Sequence, residues 1–279
     1  MSEPIRSRQS RQLAETALGR VVIAYGSTPE FVLLGGLVPD LLCTEAAVRH
    51  EGTTDVDVQV DLEIAGGSAN AAHLEAALRS AGFVPDDQRA WRWHDHRSPE
   101  MVVKAEFLTD LDDVPNQTTV IFDACERLGA INLRGTGLAA RNWESREISV
   151  VDETGSTTIN LRVTGLAGYL LAKTHAAYGR RARKDWYDVA YVLLHNDRGG
   201  PSAAAADVRQ RFLADLVGQT RTALDELASN FAHTSAQGPE AYADIMLGVQ
   251  SDLDWDTLTN DAVAAVDEFV HELRLPRSS

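Results

Sequence analysis

Asp55 and Asp57, two residues apart in TTDVDVQVDL, are the side chains of this chain best suited by type and spacing to do chemistry. Their neighbours Val56, Val58 and Val60 are β-branched, which predicts a strand. On a strand, residues i and i+2 point to the same face, so two carboxylates project side by side with Cα atoms roughly 6–7 Å apart. Like charges at that spacing repel unless a cation sits between them. Oxygen-only ligands suit Mg²⁺ or Mn²⁺ rather than zinc. A metal held in this way, about twenty residues after the Gly-Gly turn that ends FVLLGG, is what phosphoryl and nucleotidyl transfer require.

Other residues qualify for the same site. In MVVKAEFL, Val102, Lys104, Glu106 and Leu108 share one strand face, and Glu106 would complete a three-carboxylate cage; the alternative is a solvated Lys104/Glu106 face on an edge strand. Asp61 is in step with Asp55 and Asp57 but falls past the end of the site. Gly35-Gly36, at a strand end before a helix, lets backbone N–H groups approach a phosphate closely, although Gly-Gly alone is commonly just a turn. Thr53 and Thr54 either donate to phosphate or cap the strand, and Arg49 faces either phosphate or solvent. Lys173, inside the apolar helix LAGYLLAKTHAAYGR, is a phosphate ligand or a lysine snorkelling to water. Arg180 and Lys184 extend it into a basic stripe. Asp185 and Asp188 follow at i, i+3 on the next helix, with Asp185 either its N-cap or a base and orienter of the basic residues. His94 and His96 lack further His or Cys at zinc spacing and read as solvated. Trp91 and Trp93 read as core or cleft wall.

The elements that must position these residues form two halves. The first predicts an α+β arrangement: a leading helix over 5–26, a buried strand over 31–36, and a short helix from Leu37 to about Val48. The aspartate strand at 54–62 and a helix over 67–82 come next. RAWRWHDH (89–96) and MVVKAEFL (101–108) are candidates for a hairpin. Shorter strands are expected at 118–123, 146–151 and 157–163. From Gly165 onward the signals are helical, at 165–179, 184–196, 203–232, 239–250 and 257–273. The domain reading is therefore 1–164 as a mixed-sheet core and 165–279 as a helical domain, with a site expected in a cleft between them.

Bulk properties bound the possibilities. The 279 residues are 44% hydrophobic and 24% charged, the composition of an ordinary globular protein. No apolar run reaches the ~18–20 residues of a membrane span, and MSEPIRSRQSRQLAE has no secretory apolar core. With two cysteines, Cys43 and Cys125, both in segments read as buried, a reduced cytoplasmic protein with inert thiols is expected. The net charge of −15 argues against a general nucleic-acid-coating protein. From Pro201 to the end, thirteen acids face five bases, whereas GRRARK gathers Arg180, Arg181, Arg183 and Lys184.

Taken in order, Gly35-Gly36, Arg49, Thr53-Thr54-Asp55-Val56-Asp57, Glu106, Lys173 and Arg183-Lys184-Asp185-Trp186-Tyr187-Asp188 resemble the AbiEii/MenT-type nucleotidyltransferase toxins, part of the polymerase-β-like nucleotidyltransferase superfamily. The resemblance spans roughly residues 30–196 and rests on order and spacing. It implies a nucleotidyltransferase-type mixed sheet with flanking helices, followed by an all-helical half that closes the active site. It also implies a Mg²⁺-dependent (or Mn²⁺-dependent) enzyme that moves a nucleoside monophosphate from an NTP to an acceptor hydroxyl and releases pyrophosphate. The implied acceptor is the 3′ end of tRNA, and the implied partner is a cognate antitoxin. Under it Asp55, Asp57 and Glu106 hold metal, Lys173 binds phosphate and Asp185 is the late essential acid. Leu37 departs from the pattern, standing where the superfamily has Ser or Thr. Two other functions fit the same residues. One is a small-molecule nucleotidyltransferase of aminoglycoside-modifying kind, which the acidic charge favours; the other is a catalytically silent binding module.

Overall fold

The computed structural model describes residues 8–51, 55–60, 68–97, 102–152 and 155–274. They fall into two compact units: Met1–Val38 with Gly52–Thr164, and Pro39–Glu51 with Gly165–Ser279.

The first unit is a mixed sheet with helices. Its strands are β1 (Phe31–Leu34), β2 (Asp55–Val60), β3 (Val84–Pro85), β4 (Arg92–Asp95), β5 (Val103–Thr109), β6 (Thr119–Ile121), β7 (Gly129–Asn132), β8 (Trp143–Asp152) and β9 (Gly155–Thr164). The strand order is β3-β4-β5-β2-β1-β9-β8, with β7 joining β5 and β6 joining β7. β1 is buried at all four positions, as expected where both faces of a strand are covered. β2 runs antiparallel to β1 and parallel to β5. β4 and β5 pair antiparallel, so the two period-2 segments do form a hairpin. β5 is nevertheless an interior strand, flanked by β4 and β2, and not an edge. It buries Val103, Ala105 and Phe107 and leaves Lys104 and Glu106 half-buried.

Helix α1 (Arg8–Tyr25) lies against β2, β5, β8 and β9, and a later helix, Ser68–Ser80, packs on it. That later helix stops where Gly82 takes φ 87° and the Phe83 N–H reaches back to the Leu78 carbonyl at 2.9 Å, a left-handed C-terminal cap that suits glycine.

The second unit is helical. In chain order α2 (Pro39–Leu42) comes from the early segment and α3 is the Ser68–Ser80 helix of the sheet unit, as α4 (Thr136–Ala140) also is. The helical unit continues with α5 (Leu166–Arg180), α6 (Arg183–His195), α7 (Pro201–Phe212), α8 (Gly218–Asn230), α9 (Gln237–Val249) and α10 (Trp255–Arg274). α6 is buried continuously from Asp185 to Leu193, the signature of a helix surrounded by others; α2, α5, α7, α9 and α10 all contact it. Among the described residues no helix is long and apolar enough to cross a membrane.

Two expected helices change form. The helix expected over 37–48 is the single turn of α2. Beyond it the backbone is held instead by the turn after α6: the Asp197 N–H donates to the Leu42 carbonyl (2.9 Å), and the Asp197 carboxylate accepts from Thr44 Oγ1 (2.8 Å) and the Glu45 N–H (3.3 Å). The helix expected over 203–232 is split into α7 and α8 by a short 3₁₀ turn, Leu213–Asp215, with Gly218 at φ 53° restarting the chain.

Candidate functional site

In the sheet unit the register sets Asp55, Asp57 and Glu106 on neighbouring strands beside the Gly35-Gly36 turn. Leu34 of β1 lies opposite Asp57 of β2, Asp57 opposite Glu106 of β5, and Glu106 opposite Arg92 of β4. One row across four strands thus ends at the Gly35-Gly36 turn on one side and at Arg92 on the other. Because β1 and β2 are antiparallel, the chain beyond Leu34 heads toward the Asp55 end of β2. Gly35 has φ 87°, and its carbonyl accepts the Val38 N–H at 3.2 Å, which closes the turn. That conformation requires a residue without Cβ. The next row pairs Asp55 with Lys104, Lys104 with His94, and His94 with Val84.

Glu106 is not a bare carboxylate. Its Oε1 accepts from Arg92 Nε at 2.6 Å and also from Arg92 Nη2, a charge-assisted cross-strand pair. Sequence reasoning did not connect Arg92 with Glu106; the signal lay in the hairpin register, which puts the two opposite each other. His94 Nε2 lies 2.9 Å from Asp86 Oδ2, and its ring is 5.7 Å from that of His96. The hydrogen bond to His94 is the chief reason the Asp86 carboxyl is held at about 2. Trp93 is fully buried, with the Arg79 guanidinium over its ring. Thr53, Thr54 and Asp61 lie outside the described residues.

In the helical unit a second set of candidates converges. Lys173 of α5 places Nζ 2.7 Å from Asp188 Oδ2 and 3.4 Å from Asp185 Oδ1. Arg180 grips Asp185 with both Nε (3.1 Å) and Nη2 (2.8 Å). Asp185 is not the N-cap of α6. Ala182 holds that place in extended backbone, and Asp185 sits in the first turn, its side chain turned to Lys173 and Arg180. His50 Nε2 is 2.9 Å from Asp188 Oδ1, its ring stacked on Tyr187 and edge-on to Tyr191. The Glu51 N–H donates to the Tyr187 hydroxyl (3.0 Å), and the Tyr191 hydroxyl donates to the Val48 carbonyl (2.8 Å).

Lys173 is 5% exposed, and Asp185 and Asp188 are fully buried. Burial pulls the Lys173 ammonium toward neutrality, but Asp188 and Asp185 outweigh it and hold the pKa above the ordinary lysine value. Lys173 is therefore a fixed cation. His50, the member of this network that sequence reasoning missed, carries no local signal: it sits in a polar loop 138 residues from its partner. Arg49 beside it is exposed. The basic run after α5 is largely paired, with Arg180 on Asp185, Arg181 on Glu226 at 3.4 Å, and Arg183 on Asp244. Both thiols are pushed up, chiefly by burial, that of Cys125 to about 11, which keeps them unreactive.

No family model matches the chain, and no curated protein matches it.

Proposed function

We propose that this chain is a nucleotidyltransferase that transfers a nucleoside monophosphate from an NTP to an acceptor hydroxyl, with the 3′ end of tRNA as acceptor and an antitoxin as restraint. The observation that carries this reading is the row Gly35 turn–Asp57–Glu106, with Asp55 one step along β2. A glycine turn and three acidic residues share neighbouring register positions there, the arrangement that this reading needs.

The donor set fits a hard divalent ion. Asp55 and Asp57 would hold Mg²⁺ or Mn²⁺, and Glu106 would join them through the oxygen that Arg92 does not hold. A bound ion of this kind offsets the charge of the triphosphate and of the departing pyrophosphate. The chain's own residues do the rest. Backbone N–H groups of the Gly35-Gly36 turn approach phosphate oxygens, and Arg92 fixes the Glu106 carboxylate. Lys173 enters as the phosphate cation implied by the resemblance, kept protonated by Asp185 and Asp188. In the reaction the acceptor oxygen bonds to the α-phosphorus. The bond from that phosphorus to the α,β-bridging oxygen breaks, pyrophosphate leaves with the electron pair, and the hydroxyl proton passes to solvent water.

The test is label transfer from each of four α-³²P-NTPs, with Mg²⁺ and total tRNA, by wild type and Asp57→Ala. Labelled tRNA that falls by ~10³-fold or more in the variant is the expected result. Undiminished transfer by Asp57→Ala would remove the metal-site reading. A second acceptor class has its own support: the acidic surface and the carboxylate-paired Arg181 and Arg183 suit a small cationic acceptor better than a polyanion. Rates with RNA should fall steeply as salt rises, whereas rates with a compact acceptor should change little.

A further inference from the structure

Lys104 is the side chain of the sheet unit that the scheme above leaves without a task. It lies on an interior strand, half-buried, in register with Asp55 on one side and His94 on the other. The β4 side chains beside it are engaged elsewhere: Arg92 with Glu106, and His94 with Asp86. The Lys104 ammonium makes no hydrogen bond or ion pair with any described side chain; the side chain of Asp55, its neighbour in register, lies outside those described. A lysine at the middle of a mixed sheet gives up part of its hydration, and its ammonium is unfavourable there unless something anionic completes it.

Position indicates what that anion is. The Gly35-Gly36 turn leaves β1 toward the Asp55 end of β2, and Lys104 flanks Asp55 from the opposite strand. A glycine turn and a lysine therefore lie on the strands to either side of Asp55. An NTP with one divalent ion is still an anion, and two aspartates beside it add to the repulsion, so a fixed cation is needed at that end. On the nucleotidyltransferase reading, on which this inference rests, we infer that Lys104 binds the β,γ-phosphates of the incoming NTP and holds the pyrophosphate as it leaves. The alternative is that Lys104 serves only as the cross-strand counter-charge of Asp55.

The two roles separate on which ligand feels the substitution. Binding of each NTP and of the matching NMP, with Mn²⁺, and of Mn²⁺ alone, would be measured by calorimetry on full-length wild type, Lys104→Met, Lys104→Gln and Lys104→Arg. A triphosphate ligand predicts that both neutral variants lose roughly tenfold or more in NTP affinity, the scale of one charge-assisted hydrogen bond. NMP affinity stays level, and Lys104→Arg recovers most of the loss. In turnover, KM for NTP should rise by a similar factor. Unchanged NTP affinity in both neutral variants would overturn the inference, as would tighter Mn²⁺ binding with the NTP-to-NMP ratio preserved, which is the mark of a mere counter-charge. A wild type that binds no NTP would instead bring down the nucleotidyltransferase reading, and Lys104's role with it. Two neutral side chains of different polarity guard against one of them failing to fold.

Discussion

Lys173, Asp185 and Asp188 show how much one buried cation can decide. Removing the lysine takes the principal described cation from two carboxylates inside a helical core, where Arg180 and His50 also contact them. Deleting one partner of a buried ion pair destabilises by about 3–5 kcal/mol. Lys173→Ala should lower the urea midpoint accordingly, whatever its effect on activity. Adding Asp188→Asn should restore part of that loss, because the second change removes a charge that the first left unpaired. A Lys173→Ala protein as stable as wild type would mean that the network is not closed. The sign of the pH effect follows from the raised pKa: the stabilisation is complete below the unfolded lysine value of 10.5 and is lost as pH rises through the higher folded value. An inactive Lys173→Ala is thus evidence of a phosphate ligand only when its fold is shown intact. Lys173, Asp185 and Asp188 were legible in the sequence, because a lysine in an apolar helix and two acids at i, i+3 break an apolar pattern. His50 and Arg92 were not, since each takes its meaning from a partner on another element.

At the scale of elements, α3 anchors the turn after β6 through one carboxylate. Glu75 accepts the backbone N–H groups of Glu126 (2.8 Å) and Arg127 (3.0 Å), and Arg79 Nη2 at 2.9 Å. Burial raises the Glu75 pKa, but Arg79 and those two N–H groups outweigh it and leave it below its ordinary value of 4.5. The carboxylate therefore contributes stability above pH ~4.5, and that contribution fades as pH falls through the lower folded value. Wild type should lose urea resistance over this acid range more steeply than Glu75→Gln, which has no charge there to lose; parallel curves would refute the anchor. Such anchoring is invisible in a linear pattern. α3 itself was legible from its apolar spacing and from Gly82, and the β4–β5 hairpin from period-2 alternation. β7 was missed because GAIN is four residues with the turn formers Gly and Asn at its two ends. The helix expected after Gly36 was overextended because local propensity cannot register that Asp197 captures Thr44 and Glu45.

For the molecule as a whole, the consequential fact is that the helical unit is not contiguous in sequence. It takes Pro39–Glu51 from between β1 and β2, so the chain passes between the units at 38/39, 51/52 and 164/165. The first two crossings have no signature in composition, whereas the change from strand to helix periodicity near 164 does. The borrowed segment is bonded into the helical core by contacts spanning 136 to 155 residues of sequence: His50 on Asp188, Glu51 on Tyr187, Val48 under the Tyr191 hydroxyl, Leu42 and Thr44 on Asp197. Cutting the chain at 164 would take those partners from Asp188, Tyr187 and Tyr191 while each remains inside the helices, and each buried group left short of a hydrogen bond costs about 1–3 kcal/mol. Together these losses rival the whole stability of a domain. A fragment of residues 165–279 should therefore keep helical far-UV circular dichroism but lose near-UV signal and cooperative unfolding, the behaviour of a molten state. The same fragment carrying residues 39–51 on a Gly-Ser linker should regain both. Equal cooperativity in the two fragments would show that the segment merely rests on the helices, and the boundary would then return to a single cut near 164.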